Sequence, residues 1–404
     1  MSTFTKLKRV TTMRAGGTPP VDDPSMWANE GLPWVSIGDM TKAVEVRSTN
    51  RHLSPQGRRS KHLPVGRPGT VLFAMYASVG TASILGTEAS WNQAILGINP
   101  VRELADARFV KYWLEHLRPD LMALIRSNTQ DNLNAEQVGN LPFPVVPLAV
   151  QTTIANYLDH QTETINELWA AKQRLAELLD CRYWSTVTQE IESKSPRYIP
   201  LRRVITRIID GPFGSALKSS DYADAGARVV RLGNIGQGFF RDNDVAFVSS
   251  SYFQTLLRYR VLPGDLLIAG LGDNNNPVGR ACVAPDLGAA LVKADCYCAS
   301  IDEQRADVDF LALFLSSPLG QSHTAIAARG TTRSRINLDI ARDIAVPDMP
   351  LSEQREIVAT AANLKHSTDT LKKGLEWQIT LLKEYRQSLI TAAVTGQLDI
   401  PEPA

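Results

Sequence analysis

The residues best suited to chemistry in this 404-residue chain sit in loops rich in Gly, Asn, Ser, Thr and basic side chains. In Arg14-Ala15-Gly16-Gly17-Thr18-Pro19, small residues let backbone amides approach an anion while Arg14 and Thr18 add donors. Asp210-Gly211-Pro212-Phe213-Gly214-Ser215, with Lys218, Ser219 and Ser220 behind it, is of the same kind. Plain turns between strands have the same composition. A second pair of loops carries side chains that match base edges. Asn128, Thr129 and Gln130 stand in Ser127–Asn132, and Thr331, Thr332, Arg333 and Arg335 in Arg329–Arg335. Asn and Gln bond adenine bidentately and Arg bonds guanine so; the same residues would equally cap the start of the segment that follows. A third group is basic: Lys42, Arg47, Arg51, Arg58, Arg59, Lys61 and Arg67 face only Glu45 between 42 and 67. Its nearest equivalent is Arg231, Asn234, Gln237 and Arg241. Asn275 joins these candidates from the polar run Asn274-Asn275-Asn276-Pro277. Tyr76, Phe239 and Phe240 lie nearby in sequence and are expected in the core rather than as stacking platforms.

Catalytic constellations are missing. The chain has no GxxxxGK[ST] phosphate loop, no GxSxG and no HExxH. Asn274–Val278 is faintly similar to the asparagine-proline motif of amino-methyltransferases, but it lacks the second proline and the aromatic that would stack on a flipped base. Cys181 stands alone, and Cys282, Cys296 and Cys298 lack CxxC spacing, so reduced core thiols are expected and no metal site. No apolar run approaches a membrane span and no apolar stretch follows the first lysines, which makes the cytoplasm the expected location. The net charge of +1 hides a segregation. Residues 1–149 carry sixteen Lys/Arg against twelve Asp/Glu, whereas 150–192 carry three against seven. A basic face is often only a solvated one, yet here it permits a polyanion partner.

The elements that must position these loops occur twice. Pro68-Gly69-Thr70-Val71-Leu72-Phe73 answers to Pro263-Gly264-Asp265-Leu266-Leu267-Ile268, and Ser36-Ile37-Gly38-Asp39 to Arg231-Leu232-Gly233-Asn234. Ala105, Asp106 and Phe109 answer to Ala306, Asp307 and Phe310; Asn134, Leu148 and Gln151 answer to Asn337, Leu351 and Gln354. Each copy begins with short apolar runs broken by Gly, Pro, Asn and Asp, which read as several strands. A short helix near 106–117 or 307–315 comes next. A proline-stiffened apolar linker follows (Asn140–Pro147, or Val346-Pro347-Asp348-Met349-Pro350), in which Leu141, Phe143, Val145 and Val146 are expected to pack on the preceding strands. One long helix ends each copy. Ile154, Leu158, Gln161, Ile165, Leu168, Lys172, Leu175 and Leu179 form a seam in steps of four and three. Ile357, Ala361, Leu364, Thr368, Leu371, Leu375, Gln378 and Leu382 form the matching one. Polar residues interrupt both, so the economical arrangement packs the helices against each other, antiparallel, and relates the halves by a pseudo-two-fold axis. Two separate helical hairpins are the other possibility. The fold class is α+β, a duplicated two-part module.

Three stretches now carry a resemblance. Gly16-Gly17-Thr18-Pro19 with Leu32-Pro33-Trp34-Val35-Ser36-Ile37-Gly38-Asp39 looks like the opening of a target-recognition domain of type I restriction–modification specificity subunits. Asp210–Lys218 with Val230-Arg231-Leu232-Gly233-Asn234-Ile235 resembles the other common variety, and Arg386–Leu398 is similar to the family's C-terminal helix ending. The likeness covers essentially the whole chain. It implies recognition domains over 1–148 and 196–350, spacer helices over 149–195 and 351–404, and a non-catalytic reader of an asymmetric, bipartite double-stranded DNA target. It further implies two methyltransferase subunits and restriction–translocase subunits as partners. S-adenosylmethionine and ATP with Mg would then reside in those subunits, and no cofactor in this chain. The rival reading is a duplicated coiled-coil scaffold that binds protein partners without reading DNA sequence. One departure stands out: the first helix ends in Asp180-Cys181-Arg182-Tyr183-Trp184, unlike the second.

Overall fold

A computed structural model describes residues 3–41, 44–60, 63–76, 78–127, 132–273, 275–327 and 334–400. The chain forms two compact units, the first from 1–172 and 376–404, the second from 173–375. The longer helices are α1 (Ala107–Ser127), α2 (Leu148–Ser193), α3 (Val308–Ser316) and α4 (Leu351–Val394). At 1.5 Å per residue the 46 residues of α2 span about 69 Å.

In the first unit a five-stranded sheet runs in the order 11–15, 95–100, 71–74, 82–85, 45–46, antiparallel except for the last pair. A four-stranded sheet has the order 27–28, 51–53, 32–35, 90–91, again with only the last pair parallel. Strand 71–74, Val-Leu-Phe-Ala, is buried on both faces, which is why it reads as a continuous apolar run. The proline linker is itself a strand. Pro142–Pro144 pairs antiparallel with Phe4–Lys6, in a two-stranded ribbon where the missing proline N–H groups disrupt no longer ladder. Phe143 is fully buried edge-on to Phe109 and Trp113, and the Trp113 indole donates to the Pro142 carbonyl at 2.6 Å. Burying that ring contributes about 1.5–3 kcal/mol. Val145 departs from expectation: it is exposed, since its backbone donates to Thr3 and turns its side chain outward.

The second unit repeats the plan. Its sheets run 205–209, 296–301, 266–269, 281–283 and 222–223, 247–248, 227–230, 290–292, the latter again with a parallel last pair, and Arg197–Pro200 pairs with Ala345–Asp348. The helix that follows the sheets is longer than expected in the first unit, reaching Ser127 through Pro119. In the second it breaks at Ser317, whose extended backbone precedes Pro318, and resumes as Pro318–Ala327.

One buried joint is identical in both units. The Gln151 side chain accepts from the Asp106 amide at 3.1 Å and donates to the Leu104 and Val146 carbonyls at 3.0 and 2.8 Å. Gln354 accepts from the Asp307 amide at 2.8 Å and donates to Arg305 and Met349 at 3.3 and 2.9 Å. Each glutamine is about 1% exposed, so it clamps the start of a long helix to the loop before α1 or α3 and to the end of the proline strand. Asn134 and Asn337 cap the short helices ahead of these strands, accepting from the Gln137 and Ile340 amides.

Within the first unit the early part of α2 packs on the late part of α4. Ile154, Leu158 and Ile165 share a core with Leu389, Ile390 and Ala393, Lys172 reaches Gln378, and the Lys383 ammonium lies over the Trp169 ring. Within the second, Asp180 meets Lys372 and Lys194 meets Glu356. The buried line differs from the expected seam. Leu168, Leu175 and Leu371 are exposed, each about half or more; Trp169, Ala176 and Lys372 face inward in their place. A 3.6-residue helix drifts against a 3.5-residue repeat, and the bulk of Trp169 takes the seam where Leu168 was expected. Ile357 and Leu375 are buried as expected, whereas Leu179, Leu364 and Leu382 are only partly covered. No helix among the described residues is long and apolar enough to cross a membrane.

Candidate nucleic-acid interface

Glycines at the start of each copy are required by packing. A Cβ on Gly16 would collide with the Trp91 and Asn92 carbonyls, and one on Gly211 with the backbone of Val292 and Lys293. The Gly16 and Gly17 amides donate to the Ile95 and Trp91 carbonyls, and the Gly211 amide to Asp210 Oδ1 at 2.7 Å. These donors are therefore occupied within the chain, which corrects the expectation that they would cradle an anion. The side chains remain: Arg14 is exposed, and the Thr18 hydroxyl meets Gln93.

The expected basic group of the first unit is divided. Strand 11–15, which carries Arg14, and strand 45–46, which Arg47 follows, are opposite edges of the five-stranded sheet, about 19 Å apart at ~4.8 Å per strand. Arg47 is exposed and ion-paired with Glu45. Arg58 and Arg59 are exposed at the end of the short helix Pro55–Arg59, whose cap Ser54 accepts from Gly57. Near them the Trp34 indole donates to the Gly17 carbonyl, Trp27 stands edge-on to Trp34, and the Arg51 guanidinium lies 4.7 Å from the Trp27 ring. Sequence reasoning missed these two tryptophans as organisers. Lys42, Lys61, Asn128, Thr129, Gln130, Thr331, Thr332 and Arg333 lie outside the described residues.

In the second unit the candidate loops are tied together. Arg280, 3% exposed, is the hub. Its Nε donates to Ile235 O, Nη2 to Leu232 O, and Nη1 to Leu271 O and Pro277 O, at 2.8–3.0 Å. It therefore joins loop 232–241 to loop 271–277. Burial, and repulsion from Arg241, lower its pKa. Arg241 donates to the Asn276 side chain at 3.0 Å, and Asn275 is exposed on the same turn, its amide bonded to Asp273. A second tie runs from Asp210, whose Oδ1 accepts from the Gly211 and Asp295 amides; burial pushes this carboxyl up to about 6. The Asp295 carboxylate in turn holds Arg335 through Nε and Nη2, and residue 335 pairs with Leu271.

Asn234 is a correction. It is fully buried, and its amide donates to the Arg241 and Asp244 carbonyls while its oxygen accepts from the Arg231 amide, so no edge is left for a base. Arg231 is paired with Asp244, and Gln237 is half-buried on the hairpin beyond. Lys218 is exposed, its amide bonded to Asp221; Ser215 and Ser219 lie in short 3-10 turns beside it. Tyr76 and Phe240 pack against their cores as expected, but Phe239 is half-exposed. Cys282, Cys296 and Cys298 are buried free thiols raised in pKa by burial, Cys282 up to about 12. Cys181 is exposed, and no metal-ligating cluster occurs among the described residues.

Taken by itself, each unit presents positive and amide-bearing side chains on its loops, and buried ties hold those of the second. Comparisons with known proteins bear on what such loops do. Residues 2–178 match the family described as the type I restriction modification DNA specificity domain. The specificity subunit of the type I restriction enzyme EcoBI of Escherichia coli is 21% identical over 402 residues, covering 91% of this chain and 80% of that protein. That of EcoKI, from Escherichia coli strain K12, is 21% identical over 353 residues, covering 82% and 75%. A chain solved in work on complex assembly and conformational transition of the type I R-M system superposes with a TM-score of 0.70 at 18% identity, over 98% of both chains. By these matches residues 2–178 form a type I restriction modification DNA specificity domain, and the chain as a whole is similar to the specificity subunits of type I restriction enzymes and shares the fold of the solved type I R-M chain.

Proposed function

We propose that this chain supplies the DNA sequence specificity of a type I restriction–modification complex, each unit reading one half of an asymmetric, bipartite duplex target. The observation that carries this reading is duplication with divergence. Matching sheets recur, apart from the added edge strand 45–46 of the first unit, as do the capped short helices and glutamine clamps, while the loops they present differ: Arg14 and Thr18 with tryptophans in one, Arg241, Asn275 and Arg335 on the Arg280 scaffold in the other. In this reading the readers are 1–148 and 196–350 and the spacer helices 149–195 and 351–404; the glutamine clamps at Gln151 and Gln354 support a fixed joint after each reader. The two helices form an antiparallel coiled coil about a pseudo-two-fold axis and set the gap between half-sites. The half-exposed Leu168, Leu175 and Leu371 then belong to surfaces for two methyltransferase subunits, with restriction subunits joining the assembly in the cytoplasm. The chain itself is non-catalytic. S-adenosylmethionine, ATP and Mg act in those partners.

Methylation mapping in a host carrying the full system tests this. A bipartite motif that disappears on deletion of this gene is expected. Exchange of residues 1–140 for those of another family member should change one half-site only, and removal of one turn from each long helix should change the gap. Electrophoretic shift of the complex with its methyltransferase partner separates the reader from the scaffold: binding without sequence preference would overturn the proposal.

A further inference from the structure

Phe239 sits where a core residue was expected and is half-exposed, yet its surroundings are rigid. The hairpin Ile235–Phe240 closes through a bridge between those two residues and through the Gly236 amide donating to the Phe239 carbonyl. Gly238 adopts a left-handed φ of 82°, and its amide donates to Ala281. Phe240 turns inward onto the core, so its neighbour must turn out, as successive residues of a strand do. Arg280 holds the base of the hairpin through the Ile235 and Leu232 carbonyls and ties it to the next loop through those of Leu271 and Pro277. Its charged neighbours are Asp273, which attracts it, and Arg241, which repels it, and Arg241 is the one that lies by the ring. The Arg241 guanidinium lies 5.6 Å from the Phe239 ring centroid and is itself held by Asn276. One ring face is thus backed by a cation and the ring is held away from the core.

We propose that Phe239 and Arg241 form a base-contacting element of the second unit: the ring wedges into a base step at the edge of the half-site, partly unstacking it, and its free face stacks on the base so exposed, while the guanidinium faces the adjoining phosphate. Arg280 is the positioning residue. This rests on the reading of the second unit as a DNA reader. Base–aromatic stacking is sequence-tolerant and depends on a flat ring, while a phosphate contact appears in the salt dependence.

The test uses the complex of the full chain with its methyltransferase subunits and the duplex target found by methylation mapping, with a scrambled duplex alongside. Phe239→Ala should weaken target binding about ten-fold without changing the slope of log K against log salt. Phe239→Trp should hold it near the wild-type value. Arg241→Gln should lower the magnitude of that slope by about one. A 2-aminopurine probe moved through the half-site should change its emission at one position with wild type and not with Phe239→Ala. Thermal midpoints equal to wild type exclude misfolding of these exposed-site variants. A Phe239→Ala complex that binds the target within two-fold of wild type overturns the stacking element. A wild-type complex that fails to distinguish target from scrambled duplex overturns the underlying reading instead.

Discussion

Replacing Gln354 by Ala removes three hydrogen bonds at once: one accepted from the Asp307 amide and two donated to the Arg305 and Met349 carbonyls. A typical intramolecular hydrogen bond contributes about 1 kcal/mol net, and a buried partner left without one costs about 1–3 kcal/mol. The Arg305 bond is long at 3.3 Å and counts for less. The sum is about 3 kcal/mol, with a small added cavity term. Gln354→Met keeps the volume and loses the bonds, so it should show most of the effect and isolate the polar part. The assay is urea unfolding followed by fluorescence. Of the seven tryptophans only Trp184 lies in the second unit, so excitation of a variant in which the other six are Phe reports that unit. With a slope of about 2 kcal/mol per molar urea, the midpoint should fall by roughly 1.5 M. Gln151→Ala should do the same to the first unit, read from its own tryptophans in a variant where only Trp184 is Phe. A shift under about 0.3 M in either would refute the clamp as a main stabiliser of the joint, and with it the idea that the proline strand and long helix are held as one piece.

Three further outcomes are expected. Glu115 is buried between Lys111 and Arg386, each 3.0 Å away; burial raises its carboxyl pKa, but the two cations outweigh that and hold it below the usual range. Its stabilising charge is therefore present above about pH 4.3 and lost as pH falls, and Glu115→Gln, which strands the buried Lys111, should cost about 3 kcal/mol at pH 7 by denaturant titration. Asp210 has the opposite sign. Its folded pKa of about 6 exceeds the unfolded value, so its contribution favours the folded state at low pH and is lost as pH rises from about 4 to 6; Asp210→Asn should flatten that part of the stability profile, and an unchanged profile counts against the buried tie. Finally, Ile165→Ala should cost about 2–4 kcal/mol whereas Leu168→Ala should stay within about 0.5 kcal/mol by thermal unfolding, because only the first is in the seam.

Most of the architecture was legible because it rests on residues whose type reveals their task. Asn134 and Asn337 mark helix starts, Leu148 and Leu351 begin the long helices, and Gln151 and Gln354 recur because a buried amide has few substitutes in that joint. Where the outcome depended on phase or on partners, residue type said less. Leu168 and Trp169 are both apolar, and a shift of one residue along a helix decides which is inside. Asn234 has the donors and acceptors of a base reader, but its own loop consumes them. Gly16 and Gly17 suggested an open anion cradle, whereas their amides belong to the sheet. Phe239 was hidden by the usual rule that aromatics go inside, and only the alternation with Phe240 reveals its direction.

The first unit is discontinuous in sequence, and this sets an order of events during synthesis. Residues 173–375 are contiguous and hold both stretches of helix that their core requires, so that unit can close as soon as it leaves the ribosome. The other cannot. Ile154, Leu158 and Glu115 are made early but wait for Arg386, Leu389 and Ile390, more than 200 residues later. Until then a nascent chain displays an apolar stripe beside a buried-type carboxylate without its second cation. The part translated first is thus the last to be completed, and the window between is when a chaperone or a co-translated partner has most to protect.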